Sequence, residues 1–176
     1  VFQKISSSAA GGAIYCSDIS LLFLCESTSF LNCSSSSNYG GAIYLSITGE
    51  SLLYRVCGFG CVAINYYSQF DYIRVPNDVT KRNEVNYTSV CHSIQKREYM
   101  NLVDHNYGKM KFDTVNVSHN ECRHYTGISC DYQSGEGCFL AKYCSLTNNT
   151  MRYYYLFGLY AATFGKQIRF CNILKN

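Results

Sequence analysis

The segment "HNECRH" at 119–124, with Cys130 just beyond it, gathers His119, Cys122, His124 and Cys130, four side chains able to bind a metal ion. Their spacing matches no common zinc module. In an extended chain His119 and Cys122 point to opposite faces, so a turn is expected here and no metal site. The 12 acidic residues are scattered singly, whereas acid–base cleavage needs two or three carboxylates at a defined separation. A nucleophilic cysteine would want a fixed histidine or a helix N-terminus beside it, and none of the 11 cysteines shows one. His92 and His105 have no partner pattern and read as surface residues. No catalytic residue and no cofactor is expected.

Two weaker classes of site remain. Asn32, Asn86, Asn116 and Asn148 each open an N-x-[ST] sequon, a candidate glycosylation site if the chain passes through a eukaryotic secretory route. Asn32 and Asn148 could instead form an inward hydrogen-bonding stack. The segment 75–98 holds the one proline, Pro76, with little apolar content in "VPNDVTKRNEVN". It reads as an excursion from the fold, with Lys81, Arg82, Lys96 and Arg97 as a candidate binding loop.

What positions these residues is a repeat. "GGAIY" stands at 11–15 and again at 40–44, and fixed-period self-similarity is the first thing to seek. Three mostly apolar series follow it at roughly 29-residue steps. One runs Val1, Phe30, Phe59, a position near Thr88–Val90, Val117, Leu146 and Ile173. A second runs Ile14, Ile43, Tyr72 or Ile73, Leu102, Ile128 and Leu159. A third runs Cys25, Tyr54, Val85, Phe112, Ala141 and Ile168. Between them, runs such as "MKFDTVNV" and "QIRFCNI" alternate apolar with polar, the period of a strand.

Each unit therefore holds about three short strands, too small to bury its own apolar face, and must stack on its neighbours. The predicted fold is all-β: one right-handed parallel β-helix over 1–176, about six coils of roughly 29 residues. "GGAIY" marks a corner where glycine relieves a clash, with weaker forms in "TGIS" (126–129) and "FGLY" (157–160). Stacking also predicts an outer row in which Glu26 faces Arg55 and Asp113 faces Lys142, ion pairs worth a few tenths of a kcal/mol each. Cys57, Cys144 and Cys171 are expected at one coil position, as a column of buried thiols.

Composition agrees. Tyr reaches 17 copies, charged residues make only 15%, and a net charge of +3 is too small to indicate a nucleic-acid partner. No apolar run is long enough for a membrane-spanning helix, and "YYYLFGLYAATF" (153–164) reads as a buried strand. The leucine-rich repeat, which shares the period, needs more leucine than this chain holds.

The paired motifs resemble the polymorphic outer-membrane-protein repeats of bacterial surface proteins and similar protist surface families, which couple "GGA[ILV]" to "FxxN". "GGAI" is intact at Gly11–Ile14 and Gly40–Ile43. "VSHN" (117–120), "LTNN" (146–149) and "ILKN" (173–176) keep the asparagine behind another apolar residue. The resemblance implies a cell-surface or extracellular protein, non-catalytic, adhesive or structural. Its expected partner is a protein or glycan of a host or neighbouring cell. The alternative is a carbohydrate-binding or polysaccharide-cleaving enzyme of the pectate-lyase-like β-helix kind. With no polar cap visible at either end, the chain reads as a piece of a longer solenoid that could associate end to end.

Overall fold

The computed structural model describes residues 1–18, 21–36, 39–64, 68–94, 101–122, 125–131, 139–151, 155–159 and 166–176. Its strands wind into a right-handed parallel β-solenoid of about 28 residues per turn, and every pairing between coils is parallel. Three long flanks make up most of the wall, beside a three-stranded and a two-stranded sheet. The first stacks Ile14–Ser17, Ile43–Ser46, Asp71–Arg74, Asn101–Asn106, Tyr125–Asp131 and Phe157–Leu159. The second stacks Leu22–Glu26, Glu50–Tyr54, Arg82–Asn86, Lys109–Asp113, Phe139–Lys142 and Lys166–Arg169. The third has seven rungs, from Phe2–Gln3 through Ser29–Leu31 to Asn172–Leu174.

The corners explain how short strands turn without breaking the ladder. Ser27, Arg55, Tyr87, Thr114, Tyr143 and Phe170 all take positive φ between the second and third flanks. Lys4, Asn32, Gly60, His92, His119, Asn148 and Lys175 do so after the third. A left-handed side chain costs roughly 1–2 kcal/mol. The offset is continuity: Asn32 N donates to Phe59 O at 2.8 Å and Arg55 N to Asn86 O at 3.0 Å, so hydrogen bonding between coils runs through the turn.

Inside, Phe30, Phe112, Phe139, Ile43, Leu45 and Leu53 are fully buried. Each such side chain stabilises the fold by about 1.5–3 kcal/mol through removal from water. The predicted series are correct in period and slip by one residue in places. The third-flank column is Phe2, Phe30, Gly58, Val90, Val117, Leu146 and Ile173, so Phe2 and Gly58 replace the expected Val1 and Phe59. Leu53, not Tyr54, pairs with Cys25 and Val85. On the first flank the Ile14–Ile43 column continues through Asp71, Val103, Ile128 and Phe157.

Gly58 has a physical reason. A Cβ there would lie 2.4 Å from the Phe70 ring, which occupies the vacant place and meets Phe30 edge-on with centroids 6.0 Å apart. One coil thus exchanges an aromatic on the third flank for one beside the first.

Of the excursion expected over 75–98, residues 95–98 lie outside the described residues, and the described part leaves the wall over a shorter span. Arg82–Asn86 and Ser89–Cys91 are rungs of the wall. The departure is the turn at 76–81, closed by Asp78 Oδ1 accepting from Thr80 N at 2.8 Å and from Thr80 Oγ1 at 2.7 Å. Of "YYYLFGLYAATF", only 155–159 is described. Phe157–Leu159 is a strand, and Gly158 lies mid-strand opposite Ser129, so "FGLY" is not a corner.

Candidate functional site

Alternation along the first flank turns Tyr15, Tyr44 and Tyr72 outward in one register column. Their rings stack, with centroids 5.1 Å apart for Tyr15–Tyr44 and 5.5 Å for Tyr44–Tyr72, and Tyr39 packs on Tyr72 at 4.6 Å. Ring faces are spent on one another and edges face solvent. The column then changes to Asp104. Burial, followed by the Asp104 carboxylate, pushes the Tyr72 hydroxyl well up from its ordinary value.

Asp104 belongs to a polar cluster sunk into the wall. Its Oδ2 accepts from Ser68 Oγ at 3.2 Å and Asn101 Nδ2 at 2.9 Å. Behind it, where the neighbouring coils carry Ile43 and Ile73, the core holds Asp71 and His105. His105 Nδ1 lies 2.7 Å from Asn83 Oδ1, and Nε2 lies 3.3 Å from Asp71 Oδ2. His105 and Asn83 are completely buried and Asp71 is 1% exposed. Asn83 Nδ2 donates to the carbonyls of Asn106 and Tyr107, so its Oδ1 must accept and His105 Nδ1 carries hydrogen. A surface position was expected for His105; the lone histidine is instead a core residue, satisfied by partners far off in sequence.

At the end of the same flank a cavity of about 350 Å³ opens to the outside. Ile47, Val75 and Pro76 form its apolar base, and Ser46, Thr48 and Asn77 its polar rim. Arg74 is exposed, and its guanidinium lies 5.3 Å from the centre of the Tyr107 ring. No carboxylate lies within ion-pair distance of Arg74 among the described residues. Arg74 and Tyr107 were not singled out by sequence, since nothing local links two residues that only register brings together.

The predicted sites fare unevenly. Arg82 is a strand residue whose guanidinium is held by Glu50 at 2.8 Å, which lowers the Glu50 carboxyl and raises Arg82. Lys81 lends its carbonyl to Lys109 N at 2.7 Å. Lys96 and Arg97 lie outside the described residues. Asn32, Asn116 and Asn148 are exposed, but Asn86 and Thr88 of the second sequon are buried. The asparagine stack is one residue on from Asn148: Asn120 Nδ2 donates to Asn149 Oδ1 at 3.0 Å, and Asn149 Nδ2 to Asn176 Oδ1 at 3.1 Å. Asn32 and Asn148 occupy the left-handed turn instead.

In the outer row Asp113 meets Lys142 at 3.0 Å and Lys111 at 3.3 Å. Burial opposes ionisation of Asp113, yet hydrogen bonds from Lys142, Thr114 and Lys111 hold its carboxyl below the usual range. Glu26 faces Tyr54 and not Arg55, because Arg55 is the turn residue beyond the strand. His119 stacks on His92 with centroids 5.3 Å apart, away from the buried Cys122 and Cys130. His124 lies outside the described residues, and no group of three metal-binding side chains forms among the described ones.

All ten described cysteines are free thiols. Cys144 and Cys171 stack as expected, whereas Cys57 sits opposite Ser89, one position off that column. Burial pushes Cys61 and Cys144 up to about 12, which leaves them unreactive near neutrality. Native labelling with a thiol reagent should therefore be slow, and denaturation without reductant should release at least these ten thiols. Recovery of half that number would mean disulfides and would refute the free-thiol assignment.

Gly11 and Gly40 both take positive φ, and Ile14 and Tyr15 pair residue for residue with Ile43 and Tyr44. Residues 1–17 match the family model of the Chlamydia polymorphic membrane protein repeat. The chain is a parallel β-solenoid whose first 17 residues are similar to that repeat. No curated protein and no solved structure matches it. Among the described residues no helix is long and apolar enough to cross a membrane.

Proposed function

We propose that this chain is a non-catalytic β-solenoid segment of a cell-surface protein, and that its outer wall recognises a protein or glycan on a host or neighbouring cell. The observation that carries the reading is the polymorphic membrane protein repeat at 1–17, whose corner recurs in register in the next coil. That family suggests an outer-membrane or surface location and is non-enzymatic. A wall of short parallel strands holds side chains at fixed spacing over every coil, which suits recognition by an extended surface.

The described acids support the same side. Asp113 is held by two lysines and Glu50 by Arg82, so these two carboxylates already have their cations, while Asp71 is buried against His105. The test is saturable binding of the purified, labelled segment to cells or to immobilised glycans and proteins, run beside a viscosity assay on soluble polysaccharides. Binding with unchanged polysaccharide length is expected. Shortened products, or no saturable binding to any surface, would refute the reading.

A further inference from the structure

We propose that the cavity beside Arg74 is a binding site for a single carboxylate-bearing sugar. The proposal rests on the recognition reading and assigns it a place and a ligand chemistry. Arg74 follows Tyr72 by two residues, so it faces outward on the same wall, and its strand is paired on both sides, to Ser46 and to Asn106. Packing on the Tyr107 ring at 5.3 Å holds the guanidinium beside the cavity wall. Its donors meet no carboxylate among the described residues. Asp104, on the next coil of the flank, is turned to Ser68, Asn101 and Asn106. A planar fork of donors held against an aromatic ring is the arrangement that takes a carboxylate in two parallel hydrogen bonds.

The remaining surfaces select among carboxylates. The hydroxyls of Ser46 and Thr48 and the amide of Asn77 rim the opening, polar groups suited to a hydroxylated ring. Ile47, Val75 and Pro76 below them accept its apolar face. One cation and no acid in the lining match one negative charge. A volume of about 350 Å³ stands at the small end of ligand sites, enough for one sugar ring and not for a chain. A peptide fits less well, because an extended peptide binds by adding backbone hydrogen bonds to a free strand edge. Here Ile47 N already donates to Arg74 O and Val75 N to Asn106 O.

The experiment is a titration of isotopically labelled protein, followed by amide shifts, with four soluble probes: glucuronate, N-acetylneuraminate, glucose, and N-acetyl-aspartate amide. Either sugar acid should move the amides of 46–48, 74, 75 and 77, and which binds tighter identifies the source. Arg74→Gln should weaken that binding at least about tenfold, the loss expected for a charge-assisted pair. Arg74→Lys should recover only part of it, because a point charge does not reproduce the fork. Arg74 is exposed, so an unchanged melting temperature shows that the variants fold. Glucose binding as tightly as glucuronate would overturn the carboxylate assignment, and the aspartate amide binding best would replace the sugar with an acidic peptide. No shift with any probe would overturn the site itself, while saturable binding to cells would still stand or fall on its own measurement.

Discussion

Gly41→Ala should abolish the cooperative unfolding transition of this protein, or lower its midpoint by about 10 °C or more. An added Cβ would lie 2.1 Å from Gln69 O and 2.4 Å from Val62 C. Both are backbone atoms of the next coil and both are tied into hydrogen bonds: Gly41 N donates to Gln69 O at 3.0 Å, and Val62 N to Cys33 O at 3.0 Å. No side chain can rotate away, so the coils must separate. Overpacking that displaces backbone costs roughly 1–3 kcal/mol and sometimes more. At about 2–4 °C per kcal/mol for a chain of this length, a clash on two sides exceeds the usual range. Ala42→Gly, one residue on, removes a buried methyl and adds backbone freedom, at a cost of about 1–2 kcal/mol. If thermal unfolding shows the alanine at 41 to be milder than the glycine at 42, close approach of coils is not what the second glycine serves.

The two glycines of the motif thus do different things. Gly40, at φ 59, makes the turn; Gly41 makes room. Sequence shows that the pair matters, because identical residues recur at one repeat, but it does not separate the two roles. In the next coil "GGAI" is replaced by Ser68, Gln69, Phe70 and Asp71, which pair by position with Gly40 to Ile43. A pattern search fails there, although the backbone path continues.

The period was readable because strands alternate and apolar residues return at each coil. The register was not, for a local reason. Phe59 is 41% exposed and Val1 86%, yet both look like core residues beside Gly58 and Phe2. Choosing between neighbours needs to know that Phe70 fills the place over Gly58, a fact that lies in the fold and not in the segment. The same holds for the site. A row of ion pairs could be inferred from spacing, and Asp113–Lys142 is where it was expected. Arg74 over Tyr107, and His105 between Asp71 and Asn83, are joined across coils of unequal length, so no spacing in the chain announces them.

Asp71→Ala should destabilise the protein by roughly 1–3 kcal/mol, the cost of leaving a buried hydrogen-bonding group without its partner, whereas Asp71→Asn should stay within about 1 kcal/mol of the parent. The contrast follows from hydrogen-bond accounting. His105 Nδ1–H is committed to Asn83 Oδ1 at 2.7 Å, so Nε2 can face Asp71 Oδ2 at 3.3 Å only with a proton between them. Asp71 Oδ1 also accepts from Asp104 N at 3.3 Å. Alanine leaves the ring nitrogen without its partner in a core closed by Phe112, whose ring lies 5.1 Å from His105. Asparagine keeps an oxygen for the Asp104 amide and turns its own N–H₂ to Nε2, so the histidine can be neutral with every group satisfied. Urea unfolding of the two variants measures the difference, and nitrogen-15 shifts of the His105 ring should report one bound proton in the asparagine variant. Equal destabilisation by alanine and asparagine would mean that the carboxylate charge itself holds this coil in place, and the accounting above would be wrong.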